Sequence, residues 1–321
     1  MTKPASLAAL GIALLLPGPG RGQPASPPPP NFQITRGAYR GWPDAVFLRN
    51  GEAEAVIVPA VGRVMQFRFA GEDSGPFWEN PDVDGLRAGK DAGGWSNYGG
   101  DKVWPAPQAV WPLIAGRGWP PPEGFDGRPA QAEISGGAVT LVFPPDPAYG
   151  LRMRRRITLA PGSPVMRITT TFEKTAGDPV KVGIWTITQL RDPAAIRAPA
   201  PDPAMAGAFP VLLGGYAAPP MQVKPPWLVV TRDPAANHKI GLQAGALLWV
   251  GPTSILRLDT ALASGAVFPD HGSSAEIYTN ADPLPYVELE LLGPLTTLQP
   301  GDRIEQTVTY TLSRRDARPA R

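Results

Sequence analysis

The chain has no cysteine and only two histidines, His238 and His271. No disulfide can form, so core burial must hold the fold together. Zinc sites built from Cys and His need more ligands than this sequence supplies. Past the N-terminus there is no apolar run long enough to span a bilayer. Amphipathic helices of three turns are lacking as well. Neither sign of charge dominates: 30 Lys plus Arg stand against 28 Asp plus Glu. That balance leaves no nucleic-acid footprint. No Gly-x-Ser-x-Gly occurs, and neither histidine lies in an acyl-transfer signature. No metal and no cofactor are expected.

What the chain has is punctuation. Forty-two Pro and 36 Gly break its 321 residues into short segments. Residues 1–22 read as a signal peptide: Lys3, then an apolar run from Leu7 to Leu16 that is too short to cross a membrane. Gly20 and Gly22 allow a cut before Gln23, and an uncleaved form is the alternative. Residues 23–31 form a Pro-rich tether, 32–313 a single domain and 314–321 a basic tail. A cysteine-free exported chain suits the periplasm or secretion.

Between the turn signals the hydrophobic period is two, which means strands. Asn50-Gly51 signals a type I′ hairpin between Ala45–Arg49 and Glu52–Val58. Gly136-Gly137 joins a second pair. Val64–Ala70 is expected to place Met65, Phe67 and Phe69 on one side. Leu151, Met153, Ile157 and Leu159 share a face, with Arg152, Arg154 and Arg156 opposite. Further strands are expected at 165–173, 182–190, 227–232, 239–243, 247–250, 255–258, 275–279, 286–292 and 304–313. Pro193–Pro210 reads as a long loop. So many strands imply an all-β fold of two large packed sheets.

One segment stands out: Trp95-Ser-Asn-Tyr-Gly-Gly-Asp-Lys-Val-Trp-Pro-Ala-Pro-Gln108. It reads as a stiff aromatic loop, since Pro105 and Pro107 fix φ. Flat apolar faces beside charged hydrogen-bonders suit a sugar ring. The competing reading is a hydrophobic lid over the end of a sandwich. Trp78, Trp95, Trp104, Trp111 and Trp119 crowd this part of the chain. On the strand Tyr286–Leu292, Glu288 and Glu290 share a face, and repulsion there raises a carboxyl pKa if the face is enclosed. His271 lies in a Pro-Asp-His-Gly turn that could place it in a cleft. Asn80, Asp82, Asp84 and Asp91 have the rough spacing of a calcium loop, but flanking helices and a final Glu are missing.

Three strings carry a resemblance: Pro59-Ala-Val-Gly-Arg63-Val-Met-Gln-Phe, Asn97-Tyr-Gly-Gly-Asp-Lys-Val-Trp-Pro-Ala-Pro-Gln108, and Tyr286-Val-Glu-Leu-Glu-Leu-Leu-Gly-Pro294 with Leu298-Gln-Pro-Gly301. In this order they resemble an uncharacterised bacterial family, a domain of unknown function related to the galactose mutarotase-like (aldose 1-epimerase-like) superfamily. The resemblance implies a β-supersandwich with a carbohydrate site on its concave face. Mutarotases use His as acid and Glu as base. Here Tyr98 stands where the first His belongs, the second counterpart, Trp185–Leu190, holds none, and Glu290 or Glu288 matches the base. Asp101, Lys102 or His271 is left to replace the acid. The expected ligand set is Arg63, Asn97, Tyr98, Lys102, Trp104 and Gln189. The function implied is carbohydrate binding or modification, of isomerase type if catalytic. The alternatives are a non-catalytic glycan- or envelope-binding module and an auxiliary domain of a polysaccharide lyase or hydrolase. The expected partner is a carbohydrate; oligomeric state is open.

Overall fold

The computed structural model describes residues 32–89, 91, 93–200 and 211–315. The signal, the tether and nearly all of the basic tail lie outside the described residues. In chain order the strands are β1 Gln33–Tyr39, β2 Trp42–Arg49, β3 Ala53–Val58, β4 Arg63–Phe69, β5 Asp101–Ala106, β6 Gln131–Ser135, β7 Ala138–Val142, β8 Leu151–Leu159, β9 Val165–Lys174, β10 Val180–Arg191, β11 Ala195–Pro199, β12 Val211–Leu212, β13 Met221–Lys224, β14 Trp227–Val230, β15 His238–Leu242, β16 Ala246–Val250, β17 Ser254–Asp259, β18 Ala275–Thr279, β19 Tyr286–Leu292, β20 Thr296–Leu298 and β21 Arg303–Arg314. One sheet runs β1-β2-β3-β4-β5-β10-β19-β18-β15-β12, with β20 paired beside β10. The other runs β13-β14-β11-β16-β17-β21-β9-β8-β7-β6. All pairings between these strands are antiparallel, so alternate residues point into the sandwich. The described helices are short: α1 is Trp111–Ala115 and α2 is Glu123–Asp126. Among the described residues no helix is long and apolar enough to cross a membrane.

The alternation of β8 is as read. Leu151, Met153, Ile157 and Leu159 are buried, and Arg154 and Arg156 are exposed. The phase also turns Arg155 inward, where it is fully buried. β19 is buried on both faces throughout, and β10 from Val182 to Leu190. Gly136 and Gly137 both have positive φ, the geometry of a I′ turn.

Four expectations are corrected. Of Asn50 and Gly51 only Gly51 has positive φ, so the first hairpin is not type I′. The Asn50 side chain builds the turn instead: its Oδ1 accepts from the Glu52 and Ala53 N–H groups, and its Nδ2 donates to the Ala160 and Ser163 carbonyls of the opposite sheet. In β4 a register shift against β3 separates Met65 from Phe67 and Phe69, which pack in a different hydrophobic cluster. The Pro193–Pro210 loop contains β11, which pairs on both sides. The fourth matters most. Asp101–Ala106 is no loop but β5, hydrogen-bonded to β10 and touching β4.

Candidate functional site

Because β5 is a strand, Asp101 and Lys102 point to opposite faces. Asp101 turns into the sandwich. Its Oδ1 accepts from Arg155 Nη2, and its Oδ2 accepts from Thr188 Oγ1 at 3.0 Å and from the Tyr310 hydroxyl. Arg155 Nη1 also donates to the Asp101 carbonyl at 3.1 Å. Both side chains are fully buried. Asp101 is therefore an inter-sheet tie rather than a ligand contact.

Lys102 turns the other way, towards the face that looks away from the second sheet. The antiparallel register sets a row of chemistry across that face. Gln189 pairs with Glu288, Glu288 with Tyr278, and Tyr278 with Lys239. One row along, Lys102 pairs with Ile187, Ile187 with Glu290, and Glu290 with Glu276. Trp104 and Trp185 form a third row.

These rows floor a groove of about 400 Å³, walled by Trp95, Trp104, Trp119, Trp185, Tyr216, Tyr278 and Tyr286, with Asn97, Lys102, Gln108, Gln189, Lys239 and Glu288 among its lining. A second cavity of about 410 Å³ adjoins it, sharing Gln108, Trp185, Tyr216 and Lys239 and adding Asp270, His271 and Glu276. Asp270 and His271 hold positive φ of 48° and 62°, a region Asp and His enter more readily than most side chains.

The charges form two sets. Lys102 Nζ donates to Glu288 Oε1 at 3.1 Å and lies 4.7 Å from the Trp104 ring centre. Burial pushes the Lys102 amine down, and Glu288 opposes that shift. Lys239 Nζ sits 2.7 Å from Glu276 and 3.1 Å from Glu290. Trp185 Nε1 donates to Glu290 Oε2 at 2.6 Å. Burial pushes both glutamates up: Lys239 pulls each back, while neighbouring carboxylates raise them further. Two buried carboxyls so close to one ammonium hold a proton between them more readily than either would alone. Lys239 holds Glu276 Oε2, while Glu276 Oε1 and Glu290 Oε1 have no partner among the described residues.

Trp104 is the hub of the aromatic wall. Four indoles meet it, Trp95, Trp111, Trp119 and Trp185, all nearly edge-on. Only 5% of Trp104 is exposed, whereas Trp119 is 50% exposed. The accessible stacking surface is thus Trp119, not Trp104. Asp126, at the end of α2, holds the wall. It accepts from Trp95 Nε1, Trp104 Nε1 and the Arg63 guanidinium.

Of the expected site residues, the structure brings Asn97, Lys102, Trp104, Gln189 and Glu288 together around the groove. Glu290 lies beneath it, and His271 lines the adjoining cavity. Three residues point elsewhere. Arg63 is spent on Asp126 and on the Gly99 carbonyl. Tyr98 packs on Arg63 and Trp42 in the smaller cluster, away from the groove. Asp101 is inside the sandwich. The calcium-like acids do not converge: Asn80 caps a turn, Asp84 pairs with Arg40, and Asp91 accepts from the Arg87 N–H. Lys239, Glu276, Trp119, Tyr216 and Tyr278 were missed. In Ala275-Glu-Ile-Tyr-Thr the same alternation that singled out Glu288 and Glu290 puts Glu276 and Tyr278 on one face.

No protein-family model matches the sequence, and no curated protein matches it. Solved structures do match in fold. A putative mutarotase from Salmonella typhimurium superposes with a TM-score of 0.57 at 10% identity, over 88% of this chain and 94% of that one. A galactose mutarotase-like protein from Lactobacillus casei gives a TM-score of 0.54 at 10% identity, over 84% and 100%. A TPR-domain containing protein from Parabacteroides distasonis gives 0.56 at 14% identity; the match covers 84% of this chain but only 47% of that longer protein. With its two large antiparallel sheets stacked in this order, the chain has the galactose mutarotase-like β-sandwich fold.

Proposed function

We propose that this chain is an exported protein that binds a carbohydrate in the tryptophan-walled groove and opens or isomerises its ring. One observation carries the reading: exposed Trp119 stands over a floor of buried acid–base pairs, Lys102–Glu288 and Lys239–Glu276/Glu290. Ring opening needs a base at the anomeric hydroxyl and an acid at the ring oxygen. Glu288 lines the groove and serves as the base. The acid is the proton shared by the Glu276–Glu290 pair, whose pKa values burial raises, passed to the ring oxygen through Lys239, which also lines the groove. Glu290 itself positions Lys239. Fold neighbours described as mutarotases or mutarotase-like proteins agree with a sugar ligand, and the apolar Leu7–Leu16 run supports export.

A second reading, a non-catalytic glycan-binding module, is favoured by the lack of histidine among the described residues of the tryptophan-lined cavity and by the engagement of Lys102 and Lys239 in ion pairs. Anomer exchange measured by NMR on a panel of aldoses separates the two. Catalysis predicts exchange above the uncatalysed rate, falling about 10²–10⁴-fold in Glu288→Gln while the sugar still binds. Saturable binding with no exchange in the wild type establishes the module instead.

A further inference from the structure

The polar end of the groove holds the least satisfied groups in it. Gln189 is completely buried, yet neither its Nε2 nor its Oε1 has a hydrogen-bond partner. It lines the groove, side by side with Glu288 in the strand register. Asn97 lines the same cavity with an unpartnered Oδ1. The Tyr278 and Tyr286 rings, with centres 6.2 Å apart, supply an apolar wall beside them. An open donor on Gln189 and an open acceptor on Asn97 in one cavity match a secondary amide better than a single hydroxyl, because its trans C=O and N–H point to opposite sides and reach two different partners.

The charge of the floor narrows the class further. Three carboxylates, Glu276, Glu288 and Glu290, face two ammonium groups, Lys102 and Lys239, and each ammonium already lies in an ion pair. Among the described residues no arginine lines either cavity. A phosphate or carboxylate on the ligand would have to displace a buried carboxylate from its lysine, and would meet the remaining negative charge. A neutral ligand meets neither obstacle.

We propose that the Gln189 end of the groove is an acetamido subsite, and that the chain selects neutral N-acylated aminosugars over their hydroxyl, amine and phosphate counterparts. The acyl C=O accepts from Gln189 Nε2, the N–H on the opposite side of the trans amide donates to Asn97 Oδ1, and the methyl rests on the tyrosine wall. This rests on the carbohydrate reading above and adds the substrate class.

Titration calorimetry on the full chain with N-acetylglucosamine, N-acetylgalactosamine, the parent glucose and galactose, glucosamine and glucose 6-phosphate tests it. The acetamido sugars should bind at least about tenfold tighter than the parents, because a site built around two hydrogen bonds rejects an analogue that leaves them open. Gln189→Met keeps the side-chain length and should erase that preference. The wild-type panel needs no variant, so a misfolded Gln189→Met cannot hide the answer. Equal or tighter binding of the parent or phosphorylated sugars overturns the subsite and leaves the carbohydrate reading standing. An acetamido preference that survives Gln189→Met also overturns it. Failure of every sugar to bind overturns both.

Discussion

Two buried charge clusters sit back to back on the same central strands, and they differ in one respect. Inside the sandwich, Asp101 is met by Arg155, Thr188 and Tyr310, and its carbonyl by Arg155 as well. On the outer face, Lys102–Glu288 and Lys239–Glu276/Glu290 are charged and buried too, but they line or underlie cavities and leave oxygens and a whole carboxamide unpartnered. Burial of charge is common to both. Open hydrogen-bonding capacity beside space for a ligand belongs only to the second. A saturated cluster ties two sheets together, while an unsaturated one awaits a partner.

The comparison breaks most visibly through Asp101. Asp101→Asn should cost about 3–5 kcal/mol in urea denaturation, because it strands a fully buried Arg155. Sugar affinity of the folded fraction should not change. Lost affinity at undiminished stability would make the inner cluster part of the site. A smaller effect comes from Trp119→Ala. Trp119 is half exposed, so stability should move by less than about 0.5 kcal/mol, while sugar affinity falls about tenfold if the ring is the stacking surface. Unchanged calorimetric affinity would transfer that role to Tyr216 or Tyr278.

The smallest effect concerns pH. The Glu276 and Glu290 pKa values are raised in the fold, so their protonated forms favour the native state. That contribution is complete below the unfolded carboxylate value of 4.5 and is lost as pH climbs through the higher folded values. Glu276→Gln removes one of the two titrations and leaves Glu290 to pair with Lys239. Its melting temperature should exceed that of the wild type by about 1–3 °C at pH 8 and converge with it towards pH 4. A variant less stable at pH 8 would show that Glu276 is as firmly satisfied as Asp101.

Much of the fold was legible because alternation is a local signal. Residues 151–159 read correctly from their own pattern, as did 165–173 and 286–292. β5 did not. Pro105 and Pro107 argue against a central strand, and only its pairing with β10 overrides them. Missing β5 had a direct cost at the site. Within a loop, Asp101 and Lys102 seem free to act together, but in a strand their side chains must part. Arg155 was passed over, although the phase that sets Arg152, Arg154 and Arg156 opposite Leu151, Met153, Ile157 and Leu159 puts it on the buried face.

By itself the amino-acid sequence determined the strand-rich class, the absence of disulfides, the crowding of tryptophans and the shared face of Glu288 and Glu290, since each depends on composition or on the two-residue period. It could not determine which strands become neighbours. Only the tertiary structure brought Lys239 on β15 and Glu276 on β18 to Glu290 on β19, turned Arg63 onto Asp126, and left Gln189 without a partner. Those outcomes depend on contacts between residues far apart in the chain, and hydrogen-bond satisfaction is a property of the assembled neighbourhood rather than of any segment.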